Sequence, residues 1–315
     1  MKVVIMESLG IPAAELEAFQ RPFEEKGVSF VSFEKTSDIF RMIEQAKDAE
    51  VMILANMPMP AEVIRACTGL KFIDVAFTGV DHVALDVAKE KGIAVSNAAG
   101  YSNEAVAELA VGMALSLARN MREVEERCRA GQDKTGLVGW ELKGKTVGIV
   151  GLGKIGTRSA ELFHAFGAHI LANSRSTHAD APSFVEQTSL EELLTRSDVV
   201  VLHMPLTEET RGMIDKAALS KMKKTAFLIN LARGPVIHEA DLCAALREGV
   251  IAGAAIDVFD KEPPLEITAP ILQAPKTLLT PHVAFATEQS MTLRAEIVFE
   301  NLKQWMEGNQ INKIL

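Results

Sequence analysis

Short runs of apolar and β-branched residues recur along the chain, separated by segments in which apolar residues return at helical spacing. In the first part of the chain these runs lie at residues 2–6, 28–33, 51–55, 71–77 and 93–96. Such alternation of strand and helix patterns indicates a parallel sheet covered by helices. The pattern stops near residue 100 and resumes after Lys145. We therefore predict an α/β fold with two doubly wound parallel-sheet domains.

Residues 101–131, between these two regions, predict one long helix or two joined helices. Ser102 or Asn103 can cap its start, and Gly131 is placed to end it. The part from 105 to 118 is almost entirely apolar or small and must be buried on most sides, whereas the charged part that follows is solvated. We interpret the segment as the crossing between the domains and expect residues 132–141 to contact a partner subunit.

The rest of the chain continues the alternation and ends in a helical pattern. Strands are predicted at residues 146–150, 169–172, 198–203, 227–231, 251–258 and 277–279, and a short helix at 190–194. Thr287 can cap a last helix that runs to Gly308. Because this helix is expected to return to the first domain, we predict one domain from residues 1–99 and 288–315 and a second from residues 100–287.

Composition places the chain among ordinary globular proteins, with 48% hydrophobic and 24% charged residues. The net charge of -9 provides no basic surface for nucleic acid or an anionic membrane, so neither partner is expected. No apolar run could span a bilayer, and the first residues lead straight into a strand without a signal-peptide layout. We predict a cytoplasmic protein. Cys67, Cys128 and Cys243 are isolated, which favours free thiols over a metal site.

A glycine-rich turn, Gly151-Leu-Gly-Lys-Ile-Gly156, joins the strand at 146–150 to the next helical pattern. In a dinucleotide-binding unit the first glycine makes a tight turn and the second lets backbone N–H groups approach the pyrophosphate. The third lets the helix pack on the strand, and the helix N-terminus adds partial positive charge. Strand, turn and helix occur here in the required order, so we predict a Rossmann-like unit. The residues expected to bind the cofactor are Gly151, Gly153, Lys154, Ile155 and Gly156.

Five stretches, in a fixed order, resemble the D-isomer-specific 2-hydroxyacid dehydrogenases, and the resemblance covers nearly the whole chain. They are GLGKIG at 151–156, VVVLHMPLTEETRGMI at 199–214, NLARGPVIHEADLCAAL at 230–246, GAAIDVFDKEPP at 253–264 and LLTPHVAFAT at 278–287. The resemblance implies a substrate domain around an inserted nucleotide domain, with the active site in the cleft between them. It also implies reduction of a small 2-oxo acid to the D-2-hydroxy acid by hydride transfer from NAD(P)H.

Arg233, Glu262 and His282 are candidates for that chemistry. Reduction of a 2-oxo acid requires a cation that binds the carboxylate, a proton donor for the carbonyl oxygen and a group that keeps the donor charged. A guanidinium can hold a carboxylate through two parallel hydrogen bonds. By position alone, an arginine after a strand is usually in a surface ion pair and a loop histidine is usually solvated. The match to the family's Arg, Glu and His motifs implies that these three residues are catalytic.

The resemblance also assigns supporting residues. It implies that Asp257 holds the nicotinamide carboxamide, and that the ring is surrounded by His203, Met204, Pro205, Thr210, Leu231 and Ala232. It places the backbone of the loop after residues 71–77 against the substrate carboxylate, namely Thr78, Gly79 and Val80. The segments expected to reach the cleft would make its far wall apolar, although some of these side chains could simply be core residues. They are Met57, Phe77, Tyr101 and Phe285.

The residues after the strand at 169–172 bear on the choice of cofactor. An NAD-preferring unit carries Asp or Glu about twenty residues after the glycines, where it binds the ribose hydroxyls. That position is Ser174 here, followed by Arg175 and Ser176, which can bind a 2′-phosphate. Ser-Arg-Ser also resembles the NADPH-dependent glyoxylate and hydroxypyruvate reductases of the family. We predict that NADP(H) is favoured over NAD(H), and tolerance of both cofactors is the alternative.

Other functions within the resemblance stay open. A D-lactate-type or phosphoglycerate dehydrogenase would use NAD, but phosphoglycerate dehydrogenases often carry a C-terminal regulatory domain, and this chain ends after its last helix. Formate dehydrogenases of the family have glutamine where this chain has Glu262. Some relatives are dinucleotide-sensing corepressors that keep similar active-site residues. The sequence leaves the preferred 2-oxo acid undetermined, and we expect a homodimer formed through residues 101–145.

Overall fold

The structure, a computed structural model, describes all 315 residues and divides into two compact units. Unit 1 comprises Met1–Ser102 and Ala286–Leu315, and unit 2 comprises Asn103–Phe285. Each contains one sheet in which every strand pair is parallel, so the predicted fold class is confirmed. The roles predicted for the two domains stay a prediction. None of the helices combines the length and apolar character that crossing a membrane requires.

The N-terminal part of unit 1 alternates strand and helix from its first residues. Its elements are β1 (Lys2–Ile5), α1 (Ala13–Glu24), β2 (Ser29–Ser32), α2 (Ile39–Ala46), β3 (Val51–Leu54), α3 (Ala61–Ala66), β4 (Phe72–Val75), α4 (Leu85–Glu90) and β5 (Ala94–Asn97). The strands lie in the order β2-β1-β3-β4-β5. Because all of them are parallel, the segments that follow the strands gather at one side of the sheet, which we call the carboxyl edge of unit 1.

Unit 2 begins with two helices and continues through a seven-stranded sheet in the order β12-β11-β10-β9-β6-β7-β8. Its elements, with the final helix of unit 1, are α5 (Asn103–Ala118), α6 (Met121–Arg129), β6 (Thr146–Val150), α7 (Lys154–Ala165), β7 (His169–Asn173), β8 (Val185–Gln187), α8 (Leu190–Arg196), β9 (Val199–Leu202), α9 (Lys216–Lys221), β10 (Phe227–Asn230), α10 (Glu239–Glu248), β11 (Gly253–Ile256), β12 (Thr277–Leu279) and α11 (Glu288–Met306).

The structure resolves one ambiguity of the sequence and adds elements that the sequence did not predict. The apolar segment after residue 101 forms two helices, because Asn120 adopts a left-handed conformation (φ 50°) between them. β8 and α9 were not predicted, since β8 has only 3 residues at the edge of the sheet and α9 only 6. Elements this short carry almost no periodicity.

Helix α11 packs in unit 1 through aromatic side chains. Phe299 stacks on Phe19 of α1 with ring centroids 5.2 Å apart, and Trp305 stacks on Phe72 of β4 at 4.9 Å. Offset-stacked pairs of this kind contribute about 0.5–1.5 kcal/mol beyond the apolar area that they bury. Thr287 caps the helix as predicted, because its hydroxyl accepts from the Ser290 N–H while the Ser290 hydroxyl accepts from the Thr287 N–H.

Two apolar clusters enclose the sheet of unit 2. One lies among α8, α9 and α10 and includes Leu193, Leu219 and Leu246. The other includes Met113 of α5 and Phe163 of α7. Eight residues of α5 are buried, which explains why its sequence is apolar around most of the circumference.

Unit 1 contains a carboxyl group that burial keeps protonated. Asp74 of β4 has no exposed surface; its Oδ1 accepts a hydrogen bond from Asn301 Nδ2 at 2.9 Å, and Oδ2 has no partner. Burial raises the pKa of Asp74 well above its usual value of 3.8. The folded chain therefore keeps this proton at pH values where the unfolded chain has lost it. As a result, this group makes the free energy of unfolding fall as the pH rises above about 4.

We expect Asp74→Asn to gain stability relative to the wild type as the pH rises from 4 to 7, because asparagine has no such proton. The gain should approach about 1.4 kcal/mol per pH unit where the two states differ by one proton. Thermal unfolding of both proteins at several pH values measures it, and Asp48→Asn, at an exposed carboxylate, is the control. A difference in Tm that does not change with pH would contradict the protonated state.

Candidate active site

The sheet of unit 2 has a switch point between β6 and β9, where the chain turns from one side of the sheet to the other. Ligands of open α/β sheets bind outside the carboxyl ends of the strands at such points. Most of the predicted cofactor residues follow β6, β7 and β9, whereas Leu231 and Ala232 follow β10 and Asp257 follows β11. The predicted catalytic residues follow β10, β11 and β12. Asn230 pairs with Ile256, and Ile256 with Leu279, so the three catalytic loops leave the sheet at the same level.

The glycine turn after β6 is shaped by close backbone contacts. Gly151 has φ 100°, and a Cβ there would lie 2.7 Å from the backbone of His203 and Met204. A Cβ on Gly156 would lie 1.9 Å from the Gly151 carbonyl oxygen. Gly153 differs, because a Cβ added there would meet no protein atom within 4 Å. No side chain caps the helix that starts at this point. The first N–H groups of α7 thus face open space, which fits the pyrophosphate of a dinucleotide.

His203 at the end of β9 connects this strand to α7. Its Nε2 lies 2.8 Å from the Ser159 hydroxyl, and burial lowers the pKa of His203 from 6.5 to about 4. The imidazole is therefore neutral at neutral pH. In the loop that follows, the Thr210 hydroxyl donates to the Pro205 carbonyl and accepts from the Thr207 N–H, both at 2.7 Å. Sequence reasoning missed Ser159, because only the fold brings a polar residue of α7 to His203.

The predicted cofactor-selecting residues lie directly beyond β7. The Ser174 hydroxyl donates to the Ser176 carbonyl at 2.6 Å, and Arg175 is exposed. Glu209, in the loop after β9, is close enough to Arg175 for the arginine's charge to affect the pKa of the glutamate. A hydrogen bond from Thr207 lowers the pKa of Glu209, and the positive charge of Arg175 lowers it further. The segment directly after β7, which is predicted to face the cofactor ribose, thus carries an arginine and hydroxyls. Glu209 is the neighbouring acid.

His282 and Glu262 are in direct contact. His282 Nδ1 lies 2.6 Å from Glu262 Oε2, and the exposed fractions of the side chains are 13% and 48%. The ring edge of Phe285 lies against the imidazole, with ring centroids 5.4 Å apart. Since Nδ1 is engaged by the carboxylate, Nε2 is the ring nitrogen that would serve a substrate as proton donor. A carboxylate partner sets the orientation of the imidazole.

Asp257 holds the turn that carries His282. Its carboxylate is fully buried and accepts hydrogen bonds from the Thr280 hydroxyl at 2.5 Å and from the N–H groups of Val283 and Ala284, both at 2.9 Å. Its backbone carbonyl accepts the His282 N–H at 2.8 Å. His282 itself has φ 57°, a left-handed conformation that costs a non-glycine residue about 1 kcal/mol or more. The role of Asp257 towards the nicotinamide stays a prediction, and the structure adds this structural role.

Arg233 is anchored through Asn230, the last residue of β10. The Asn230 amide donates to the Arg233 carbonyl at 2.9 Å and accepts from the Ala232 N–H at 3.0 Å. The Arg233 guanidinium donates to the Ala232 carbonyl at 2.8 Å. A Cβ on Gly234 would lie 2.0 Å from the Phe259 carbonyl carbon, so only glycine lets this loop pack on the segment that leads to Glu262.

The substrate residues predicted in unit 1 follow β3, β4 and β5 at its carboxyl edge. Met57, Phe77 and Tyr101 are buried, with exposed fractions of 0%, 5% and 3%. In the loop after β4, Gly79 and Val80 are half-buried, and the hydroxyl of Thr78 is buried without a hydrogen-bond partner. The Thr78 carbonyl accepts a hydrogen bond from Asn97 Nδ2 at 2.7 Å, which holds this loop to the end of β5. Their contact with substrate stays a prediction.

Comparison with known proteins agrees with this geometry. A family model described as "D-isomer specific 2-hydroxyacid dehydrogenase, NAD binding domain" matches residues 111–284. Glyoxylate reductase of Thermofilum pendens is 41% identical over 83% of this chain and 79% of its own. Hydroxypyruvate reductase of Blautia hydrogenotrophica is 31% identical over 100% of this chain and 99% of its own. A solved structure of an acyclic imino acid reductase in complex with NADPH and D-Arg has a TM-score of 0.91 at 26% identity, covering 100% of both chains.

We expect two alanine substitutions in the glycine turn to separate packing from ligand binding. Gly156→Ala should lower Tm, because its Cβ collides with backbone. Gly153→Ala should leave Tm nearly unchanged and weaken binding of NADPH by about tenfold or more, because its Cβ enters the space in front of the helix N–H groups. Thermal unfolding and fluorescence titration with NADPH measure the two effects. Unchanged NADPH affinity in Gly153→Ala would remove this turn from the cofactor site.

Proposed function

Because the chain belongs to the D-isomer-specific 2-hydroxyacid dehydrogenase family, we propose that it reduces glyoxylate or hydroxypyruvate with NADPH. The family establishes an oxidoreductase that uses a nicotinamide dinucleotide and acts on a 2-oxo acid or its 2-hydroxy acid. The observation that carries the proposed reduction of a 2-oxo acid is the contact between His282 Nδ1 and Glu262 Oε2, at the edge of the sheet where Arg233 also lies. The two relatives named above support the choice of substrate.

In the proposed mechanism Arg233 binds the carboxylate of the 2-oxo acid. Its planar guanidinium forms two parallel hydrogen bonds, which fix both the position and the orientation of the substrate. His282 donates a proton to the carbonyl oxygen through Nε2, while Glu262 keeps the imidazole oriented through its contact with Nδ1. The reduced nicotinamide supplies the hydride. Asp257 contributes by holding the turn on which His282 lies.

The preference for NADPH rests on Ser174, Arg175 and Ser176. The position that would carry an acidic residue in an NAD-preferring unit is Ser174, the first residue beyond β7. Arg175 is exposed beside it and can pair with a 2′-phosphate. Use of NAD by a D-lactate-type or phosphoglycerate dehydrogenase is the competing proposal.

We also propose that two copies associate through residues 101–145. Met121 and Val138 of this segment are exposed apolar residues, at 52% and 83%. Val138 also lines a pocket of about 360 Å³ together with Leu137 and Trp140. Exposed apolar side chains beside such a pocket support the proposal that a second copy packs against this segment.

Glu262→Gln should lower kcat for 2-oxo acid reduction by about tenfold or more, because the neutral amide stabilises the charged imidazole less than a carboxylate does. The KM for NADPH should change little. Steady-state rates of NADPH oxidation measure both values, and Glu266→Gln, at an exposed acid paired with Lys261, is the control. A Glu262→Gln enzyme with wild-type kcat would exclude the proposed pair from proton transfer.

The wild-type protein should show a higher kcat/KM with NADPH than with NADH at saturating glyoxylate or hydroxypyruvate. Arg175→Ala should reduce this preference mainly by raising the KM for NADPH, since the 2′-phosphate lies far from the reacting carbon and contributes uniform binding. Arg247→Ala, at another exposed arginine of unit 2, is the control. Equal or better efficiency with NADH would refute the cofactor proposal, and no reduction of any 2-oxo acid would refute the proposed reaction.

A further inference from the structure

Arg294 is a buried arginine at the carboxyl edge of unit 1, and the proposed mechanism does not use it. It belongs to α11 and has an exposed fraction of 3%. Its Nη2 donates a hydrogen bond to the backbone carbonyl of Leu9, in the segment after β1. At the next residue, Gly10, a Cβ would lie 3.2 Å from Nη2. The backbone after β1 is therefore shaped around the guanidinium.

The guanidinium also contacts Tyr101, which follows β5. Its central carbon lies 5.8 Å from the centre of the Tyr101 ring, within the range of a cation–π contact. Burial lowers the pKa of Arg294, whereas the carboxylate of Glu7 and a hydrogen bond with the Tyr101 side chain act in the opposite direction. The ring of Tyr101 in turn lies 6.0 Å from that of Phe77, after β4. The cation thus contacts segments that follow β1 and β5, and Tyr101 extends the cluster to the segment that follows β4.

Glu7 connects this cluster to the two remaining loops of the edge, which follow β2 and β3. Its Oε1 accepts hydrogen bonds from the N–H groups of Ala55 at 2.8 Å and Met57 at 2.6 Å, and its Oε2 lies 3.7 Å from Lys35 Nζ. A guanidinium among these side chains is costly to bury, and a methionine of similar length would fill the same space without a charge. Packing alone therefore does not explain an arginine at this position.

We propose that Arg294 is a positioning residue for the 2-oxo acid, which holds the Tyr101 oxygen as an acceptor and so directs the Tyr101 O–H as a donor towards a substrate oxygen. A phenol oxygen that accepts from a cation becomes a stronger donor through its own proton. The location agrees with ligand binding at the carboxyl ends of parallel strands. This inference rests on the proposed function, because it takes a 2-oxo acid as the ligand.

The first test measures binding without turnover. Oxamate resembles a 2-oxo acid but does not accept hydride, so calorimetric titration of the NADPH-bound protein gives its affinity directly. We expect Arg294→Met to weaken oxamate binding at least tenfold, Arg294→Lys to weaken it less, and all variants to bind NADPH as the wild type does. Tyr101 is the only tyrosine, so a 13C label on its oxygen-bearing carbon gives one NMR signal, which oxamate should shift in the wild type.

The second test is a double-mutant cycle. If Arg294 acts through the Tyr101 hydroxyl, Arg294→Met should weaken oxamate binding much less in a Tyr101→Phe background than alone. Losses of oxamate affinity that simply add in the double variant would overturn the inference. So would a Tyr101 signal that does not shift at saturating oxamate, or full oxamate affinity in a folded Arg294→Met protein. Wild-type protein that binds oxamate but reduces no 2-oxo acid would contradict only the proposed reaction. Lys303→Met, on an exposed position of α11, is the control.

Discussion

The buried carboxylate of Asp257 is the constraint on which the arrangement of the candidate site depends. It lies at the end of the sheet, without exposed surface, and its two oxygens accept three hydrogen bonds from residues 280–284. A buried carboxylate left without donors would cost several kcal/mol, so the turn and the acid stabilise each other. The left-handed backbone of His282 is held by this set of bonds. The histidine is consequently presented to Glu262 by a rigid support.

The loops at the carboxyl ends of the unit 2 strands meet two kinds of structural requirement, steric and polar. At β6 and β9 the demands are steric, because Gly151 and Gly156 bring backbone segments closer than any side chain would allow. At β10, β11 and β12 polar demands are added to the steric demand at Gly234. Asn230, Asp257 and the pair of His282 with Glu262 need specific hydrogen-bond partners. The neutral His203, bonded to Ser159, lies on the cofactor side of this division. The predicted cofactor turn and the predicted proton donor are thus held in place by different physical means within one sheet.

Much of the fold could be predicted, because strand and helix patterns depend on local periodicity. The five apolar runs of the first part each became a strand of one parallel sheet, and Thr287 capped the last helix. The division at Asn120, the three-residue β8 and the six-residue α9 were beyond such reasoning. A single left-handed residue or a one-turn element leaves no repeating signal in a sequence.

The sequence by itself determined which residues are candidates for the chemistry: glycines at the spacing of a phosphate-binding turn, Ser174 where an acid would select NAD, and an arginine, a glutamate and a histidine in separate motifs. Only the tertiary structure decided which groups meet. It brought His282 within hydrogen-bonding distance of Glu262 across twenty residues of chain, placed Ser159 on His203, and buried Arg294 beside Tyr101. The reason is that such contacts depend on strand order and on the three-dimensional packing of the helices. Composition and residue spacing along the chain specify neither the strand order nor the helix packing.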